Sequence, residues 1–138
     1  MKENFILDAC ALIAYFKQEP GFETVIPFFD RAEDDEILLS MHKLNVLEVY
    51  YGFYRDDGKE QAEAVLGDTL SLPIKIVDDL DDALFREAGR LKASYDISFA
   101  DSIALALASV RGGAIITADR HEFGALEHKE TIKFNWIR

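Results

Sequence analysis

The sequence predicts an α/β fold, a three-layer α/β/α sandwich on a central parallel sheet of four to five strands. Short apolar runs rich in β-branched and aromatic residues (Phe5–Leu7, Ile37–Leu39, Pro73–Val77, Ala114–Ile116) alternate with stretches of helical length and period. Strands buried on both faces read as such uninterrupted runs, and strands alternating with helices build a parallel sheet with right-handed crossovers. The second observation is where acids fall. Asp8, Asp78 with Asp79, and Asp119 each stand at or just past the carboxyl end of one of these runs, the edge of an open parallel sheet where ligands collect.

In chain order, Phe5-Ile6-Leu7 is the first strand and Ala11 to Phe16 a buried helix, with Asp8 at their junction. Asp8 reads equally as an N-cap accepting a backbone N–H and as a cation ligand. Glu19-Pro20-Gly21 is a turn, and Phe22 to Asp34 a helix disturbed at Pro27. The acidic run Glu33 to Glu36 is a solvated loop. Ile37-Leu38-Leu39 is the second strand, and Ser40 caps a helix from Met41 to Arg55 that stops at Asp56-Asp57-Gly58. Asn45, Glu48, Gly52, Arg55 and Asp56 share one arc of roughly 100° on that helix. The arc is either the narrow wet face of a buried helix or the border of a cleft in which Gly52 leaves room beside Glu48. Tyr50, Tyr51, Phe53 and Tyr54 predict that the rest of the helix is covered.

Lys59 to Leu70 is a further helix, and Pro73 to Val77 the third strand. Asp78 and Asp79 cap a helix from Leu80 to Tyr95, whose apolar and small residues recur at helical spacing. Ser98-Phe99-Ala100-Asp101 has the form of a capping box ahead of the apolar run Ile103 to Val110, which Gly112-Gly113 closes. Ala114 to Ile116 is the fourth strand and runs into Thr117-Ala118-Asp119; the alternation from Thr131 to Ile137 is that of an edge strand.

With 138 residues and no repeat, low-complexity tract or linker, the chain is predicted to form a single domain over residues 1–138. No apolar run approaches the ~20 residues of a membrane span. No signal region precedes the first strand, and Cys10, the single cysteine, cannot form an internal disulfide; a cytoplasmic protein is expected. The 26 acids and 15 bases give a net charge of -11, the wrong sign for a protein held to nucleic acid mainly by phosphate neutralisation. A nucleic-acid function therefore requires metal ions that offset the acids locally, or a basic partner. His42, His121 and His128 show no zinc-ligand spacing and read as surface residues.

The topology gathers Asp8, Glu48, Asp101 and Asp119 at one edge. Two unit charges 4 Å apart repel by about 4 kcal/mol at an effective dielectric of 20, so such acids stay ionised together only beside a cation or with raised pKa values. Carboxylates select hard ions, Mg²⁺ or Mn²⁺, over zinc.

Four segments carry a family likeness: ILDACALIAYF at 6–16, LNVLEVYYG at 44–52, SFADSIALALA at 98–108 and ITADRHEF at 116–123. In order and separation they resemble the PIN-domain ribonucleases, especially the VapC-type toxins of bacterial and archaeal toxin–antitoxin pairs. The resemblance implies a PIN-like fold and a divalent-metal-dependent endoribonuclease that hydrolyses RNA phosphodiester bonds. It implies Asp8, Glu48, Asp101 and Asp119 as catalytic, metal-binding acids, Mg²⁺ (or Mn²⁺) as cofactor, and Asn45, Thr117 and Cys10 in support. RNA as substrate, a cognate antitoxin whose basic residue reaches the acidic pocket, and a homodimer are implied with it. Cys10 departs from the pattern, since these toxins commonly carry serine or threonine there, and His121 stands where many carry another acid. Lys17, Lys43, Arg55 and Arg120 are candidates for holding RNA. Two rivals belong to other classes: a catalytically inactive PIN-like module that binds a protein partner through its acidic face, and a phosphotransfer domain of receiver or haloacid-dehalogenase type. The dehalogenase pattern wants a second aspartate where this chain has Cys10.

Overall fold

The computed structural model describes residues 2–138. Five strands, β1 (Glu3–Leu7), β2 (Ile37–His42), β3 (Lys75–Val77), β4 (Ala114–Thr117) and β5 (Lys133–Trp136), form one parallel sheet in the order β3-β2-β1-β4-β5. The helices are α1 (Ala9–Lys17), α2 (Phe22–Glu33), α3 (Lys43–Asp57), α4 (Lys59–Ser71), α5 (Asp82–Ser94), α6 (Phe99–Arg111) and the short α7 (Arg120–Phe123). The predicted α/β/α sandwich is the fold observed, with five strands and with β5 on the expected edge.

The sheet is covered on both faces because its central strands carry apolar residues toward both. Phe5 and Leu7 of β1 join a core with Leu12, Val25, Phe28 and Phe53 from α1, α2 and α3, whereas Ile6 joins a second core with Leu84, Leu91, Leu105 and Leu107 from α5 and α6. β4 divides in the same way, Ile116 to the first core and Ile115 to the second. This is the period of two along a strand, read on two buried faces. Each such side chain contributes roughly 1.5–3 kcal/mol when fully buried. Pairing of Ile6 with Ile115 and Leu7 with Ile116 brings the carboxyl ends of β1 and β4 level.

From β1 the chain winds outward through β2 to β3, then crosses back over α5 and α6 to place β4 on the other flank of β1. The direction of winding reverses between β1 and β4, which opens a crevice at their carboxyl ends.

Several local expectations are corrected, each through its hydrogen bonding. Ser40 does not cap α3; it is buried within β2, which β3 extends by pairing Met41 with Ile76 and His42 with Val77. The cap passes to His42, whose Nδ1 accepts the Leu44 N–H at 3.1 Å. Its Nε2 then carries the hydrogen and donates to the Asp79 carbonyl at 2.8 Å, so His42 is a buried residue and not a surface one. Asp78 and Asp79 do not cap α5 either; Asp81 does, its Oδ1 accepting from the Leu84 N–H at 3.0 Å. Helix α2 runs on through Pro27, because Pro27 and Glu23, whose carbonyl loses its partner, both lie on exposed positions of the helix. Tyr51 and Tyr54 stay half exposed while Phe53 is buried, so α3 is covered on one side only.

Gly21 and Gly112 both have positive φ, 92° and 67°, but only Gly21 is crowded: a Cβ there would lie 2.2 Å from the Ile137 carbonyl oxygen. Gly112→Ala should cost about 1–2 kcal/mol for the left-handed backbone alone, whereas Gly21→Ala adds a collision with the last strand's tail and should cost ~3 kcal/mol or more. Urea unfolding of the two variants checks this, and equal losses would contradict it.

Candidate active site

Asp8 leaves β1 at the sheet edge and is 3% exposed. One carboxylate oxygen, Oδ1, caps α1 by accepting the Ala11 N–H at 2.8 Å, which leaves the second for the crevice. Asp119 follows β4 and caps α7, its Oδ1 accepting the Glu122 N–H at 3.0 Å. The Asp119 N–H in turn donates to Thr117 Oγ1 at 3.0 Å. Thr117 is fully buried between the two acids' strands and hydrogen-bonds Asp8 as well.

Asp101 stands in the first turn of α6, where Ser98 Oγ accepts its N–H at 3.1 Å. The Ser98 half of the expected capping box is therefore formed, and Asp101 also feels the acids of the cluster. Asn45 ties α3 to this turn by donating from Nδ2 to the Ala100 carbonyl at 2.9 Å. Its Oδ1 is buried and has no hydrogen-bond partner among the described residues. Glu48, three residues further along α3, is half-buried, and the space beside Gly52 is open. The arc read from the sequence thus divides: Asn45 is buried, Glu48 and Gly52 border the crevice, and Arg55 and Asp56 are exposed.

The carboxyl groups feel one another. Burial pushes the Asp8 carboxyl up to about 7, with Asp101 and Asp119 adding to the rise and the hydrogen bonds from Thr117 and Ala11 opposing it. Burial also lifts Glu48 to about 7, again helped by Asp101 and Asp119. Asp101 is raised by burial and by the nearby Asp119 and Glu122, against the pull of Ser98. Burial first, then Asp8 and Asp119, push the Cys10 thiol up to about 12, so it is a neutral thiol. Among the described residues, no three acid, histidine or cysteine side chains close on a single point as a finished metal cage.

Glu122 is the acid that sequence reasoning missed. Its signal was its place three residues after Asp119, the spacing of a capping box; the position inspected instead was His121, which is exposed. The acids after β3 stay outside the crevice, with Asp79 exposed and 3.8 Å from Arg111. Of the basic candidates, Arg55 is paired with Asp56 at 2.9 Å, and Lys17 lies 3.9 Å from Asp56 and over the Phe53 ring. Lys43 is exposed at the start of α3, and Arg120 stacks on Trp136.

The model of the PIN domain matches residues 5–129, and the chain belongs to that family. Family and acidic edge together define a nuclease of the PIN class. The fold is also that of solved toxin–antitoxin proteins. DNA-bound VapBC from Salmonella typhimurium superposes with a TM-score of 0.75 at 16% identity, over 100% of both chains. VapBC2 from Rickettsia felis, bound to a DNA fragment from its promoter, gives 0.73 at 16% identity over 96% of this chain and 97% of that one. VapC20 from Mycobacterium tuberculosis, described as a sarcin-ricin loop cleaving toxin, gives 0.65 at 14% identity over 88% and 94%. No curated protein matches the sequence.

A carboxyl raised from 3.8 to about 7 binds its proton more tightly in the folded chain than in the unfolded one. Stability from this group is therefore greatest below about pH 4 and falls as pH rises toward 7. In metal-free protein, Asp8→Asn keeps the cap and removes the buried charge, so it should be more stable than the wild type at pH 8 by on the order of 2–4 kcal/mol. That advantage should vanish near pH 4. Denaturant titrations of both proteins across this range check the sign, and a variant less stable at pH 8 would contradict it.

Proposed function

We propose that this chain is a divalent-metal-dependent endoribonuclease, the toxin of a type II toxin–antitoxin pair. The observation that supports it best is the electrostatic coupling of Asp8, Glu48, Asp101 and Asp119 at the carboxyl ends of β1 and β4. The donors fit Mg²⁺ or Mn²⁺: all are oxygens, and Asp8 keeps one oxygen beyond its cap. Mg²⁺ retains several of its waters, so acids on different elements can hold it partly through those waters.

Asp8, Asp101 and Asp119 are the residues that would hold the ion. A bound divalent ion supplies water activated near neutral pH and offsets charge on the phosphoryl oxygens. Glu48, with its carboxyl near 7, is matched to take a proton from water at that oxygen. The Ala11 N–H and the Thr117 hydroxyl favour the ionised form of Asp8. Asn45, through the Ala100 carbonyl, keeps α3 and α6 in register so that Glu48 and Asp101 border one space.

RNA as substrate is supported by the sarcin-ricin loop cleavage attributed to VapC20. A cognate antitoxin is supported by the VapBC complexes, and an acidic edge on a chain of charge -11 suits a basic side chain from such a partner. We assign a homodimer and a cytoplasmic site of action on the same family grounds; no described helix is long and apolar enough to cross a membrane. The second reading, an inactive PIN-like binding module, draws on the thiol at Cys10 and on the unclosed set of acids.

Antitoxin-free protein should cut a labelled RNA with Mn²⁺ or Mg²⁺ and stop on chelation, with Asp101→Asn slower by on the order of 10²-fold. Absence of cleavage with intact antitoxin binding would favour the binding module. Independently, Mn²⁺ should raise the melting temperature of the wild type and do so far less for Asp8→Asn; equal shifts would remove the metal from this site.

A further inference from the structure

In this acidic chain nearly every arginine is spent on a carboxylate. Arg31 pairs with Glu3 and Glu36, Arg55 with Asp56, Arg90 with Glu87 and Glu130, Arg111 with Asp79 and Asp81, and Arg138 with Glu19. Among the described residues only Arg86, exposed on α5, and Arg120 lack such a partner. Arg120 lacks one although it directly follows Asp119 and stands two residues from Glu122.

Nor is Arg120 a loose surface side chain. Its guanidinium lies 4.5 Å from the Trp136 ring centroid, and its Nε donates to the Arg138 carbonyl at 2.8 Å. Trp136 is itself fixed, since its Nε1 donates to Glu127 Oε2 at 2.9 Å and its ring stacks on Phe134 at 5.3 Å with a 10° tilt. Stacking and one hydrogen bond fix the guanidinium plane while both Nη groups keep their donors unspent among the described residues. Ordering a long cation normally costs side-chain entropy at the moment of binding, and here that ordering is already done. A planar, pre-oriented fork of N–H donors is the chemistry that recognises a phosphate.

We propose that Arg120, braced on Trp136, grips a backbone phosphate of the RNA strand flanking the bond cut at the acidic centre. The proposal rests on the ribonuclease reading. It gives a chain of net charge -11 one fixed point for a polyanion: the arginine that directly follows Asp119 is kept out of the ion pairs described above and is held on Trp136. A role limited to fastening the β5 tail needs only the Nε bond to the Arg138 carbonyl and predicts no effect on RNA.

The test is binding of a labelled single-stranded RNA of mixed sequence to the full chain in the Asp101→Asn background, with Mn²⁺, over a series of KCl concentrations. Adding Arg120→Ala should weaken binding about tenfold and lower the slope of log affinity against log salt by about 0.7, the value of one phosphate on a single strand. Arg120→Lys should keep the slope and lose part of the affinity, because lysine neither stacks nor presents the fork. Trp136→Leu should likewise keep the slope and weaken binding. Mn²⁺ should still raise the melting temperature of the Arg120→Ala protein as it does the wild type. An Arg120→Ala protein with unchanged affinity and slope overturns the proposal, as does a loss of affinity with the slope intact. Wild type that binds RNA but does not cut it defeats the ribonuclease reading while the salt series still decides the role of Arg120; wild type that neither binds nor cuts defeats both.

Discussion

The structure depends on a carboxylate buried at the end of its central strand. A sheet covered on both faces has no place for a charged side chain except where strands leave it, and Asp8 stands where β1 does so. Taking that charge out of water is costly unless it is hydrogen-bonded or paired. The chain meets part of the cost locally: the Ala11 N–H takes one oxygen, starting α1, and Thr117 on the neighbouring strand supports the ionised form. Asp101 and Asp119 work in the opposite direction. The surplus of negative charge left over is what the proposed metal ion would offset, and the surrounding bonds, from the Asp101 N–H to Ser98 and from Asn45 to the Ala100 carbonyl, hold α3 and the start of α6 in place.

The opposite arrangement holds on α5. Glu87 and Glu130 are drawn below the usual carboxylate range by Arg90, which bonds both, with Ser109 and Tyr95 adding hydrogen bonds. Their contribution is present above the unfolded pKa and fades in acid, whereas the penalty at Asp8 and Glu48 grows as pH rises. One composition thus serves two ends: acids paired with arginine fasten α5 to the segment before β5, and acids set beside one another prepare a site. Net charge describes neither, because it sums over both.

The parallel sheet, the edge position of its last strand and the acids that follow β1 and β4 were legible because they rest on apolar runs and on residues at run ends. FILD and AIITAD announce themselves as strands that end in an acid. The double role of Asp8, helix cap and member of the acidic cluster, was legible as two alternatives that the structure makes compatible, since a carboxylate has two oxygens and the Ala11 N–H uses one. What stayed hidden depended on partners distant in sequence. Ser40 looks like a cap until β3 is known to extend β2 past it, and His42 looks like a surface residue until the Asp79 carbonyl is there to receive its Nε2–H. The four-residue α7 lacks an apolar period to betray it, and with it Glu122 was overlooked. Arg120 was one of four basic candidates of equal standing; Trp136, sixteen residues on, sets it apart.

Cys10 illustrates how the acids govern even the residue that breaks the family pattern. A thiol is a metal ligand or nucleophile only as thiolate, and a thiolate would add a soft donor to a hard, all-oxygen set. Burial first, and then Asp8 and Asp119, push the Cys10 thiol up to about 12 and so keep it protonated. Replacing a hydroxyl by a thiol at this position therefore leaves the charge of the crevice unchanged and alters only the size and the donor strength of a neutral group. On the proposed metal-dependent reading, a neutral thiol adds no soft ligand to the oxygen donors, so the departure from the pattern at Cys10 leaves that reading in place.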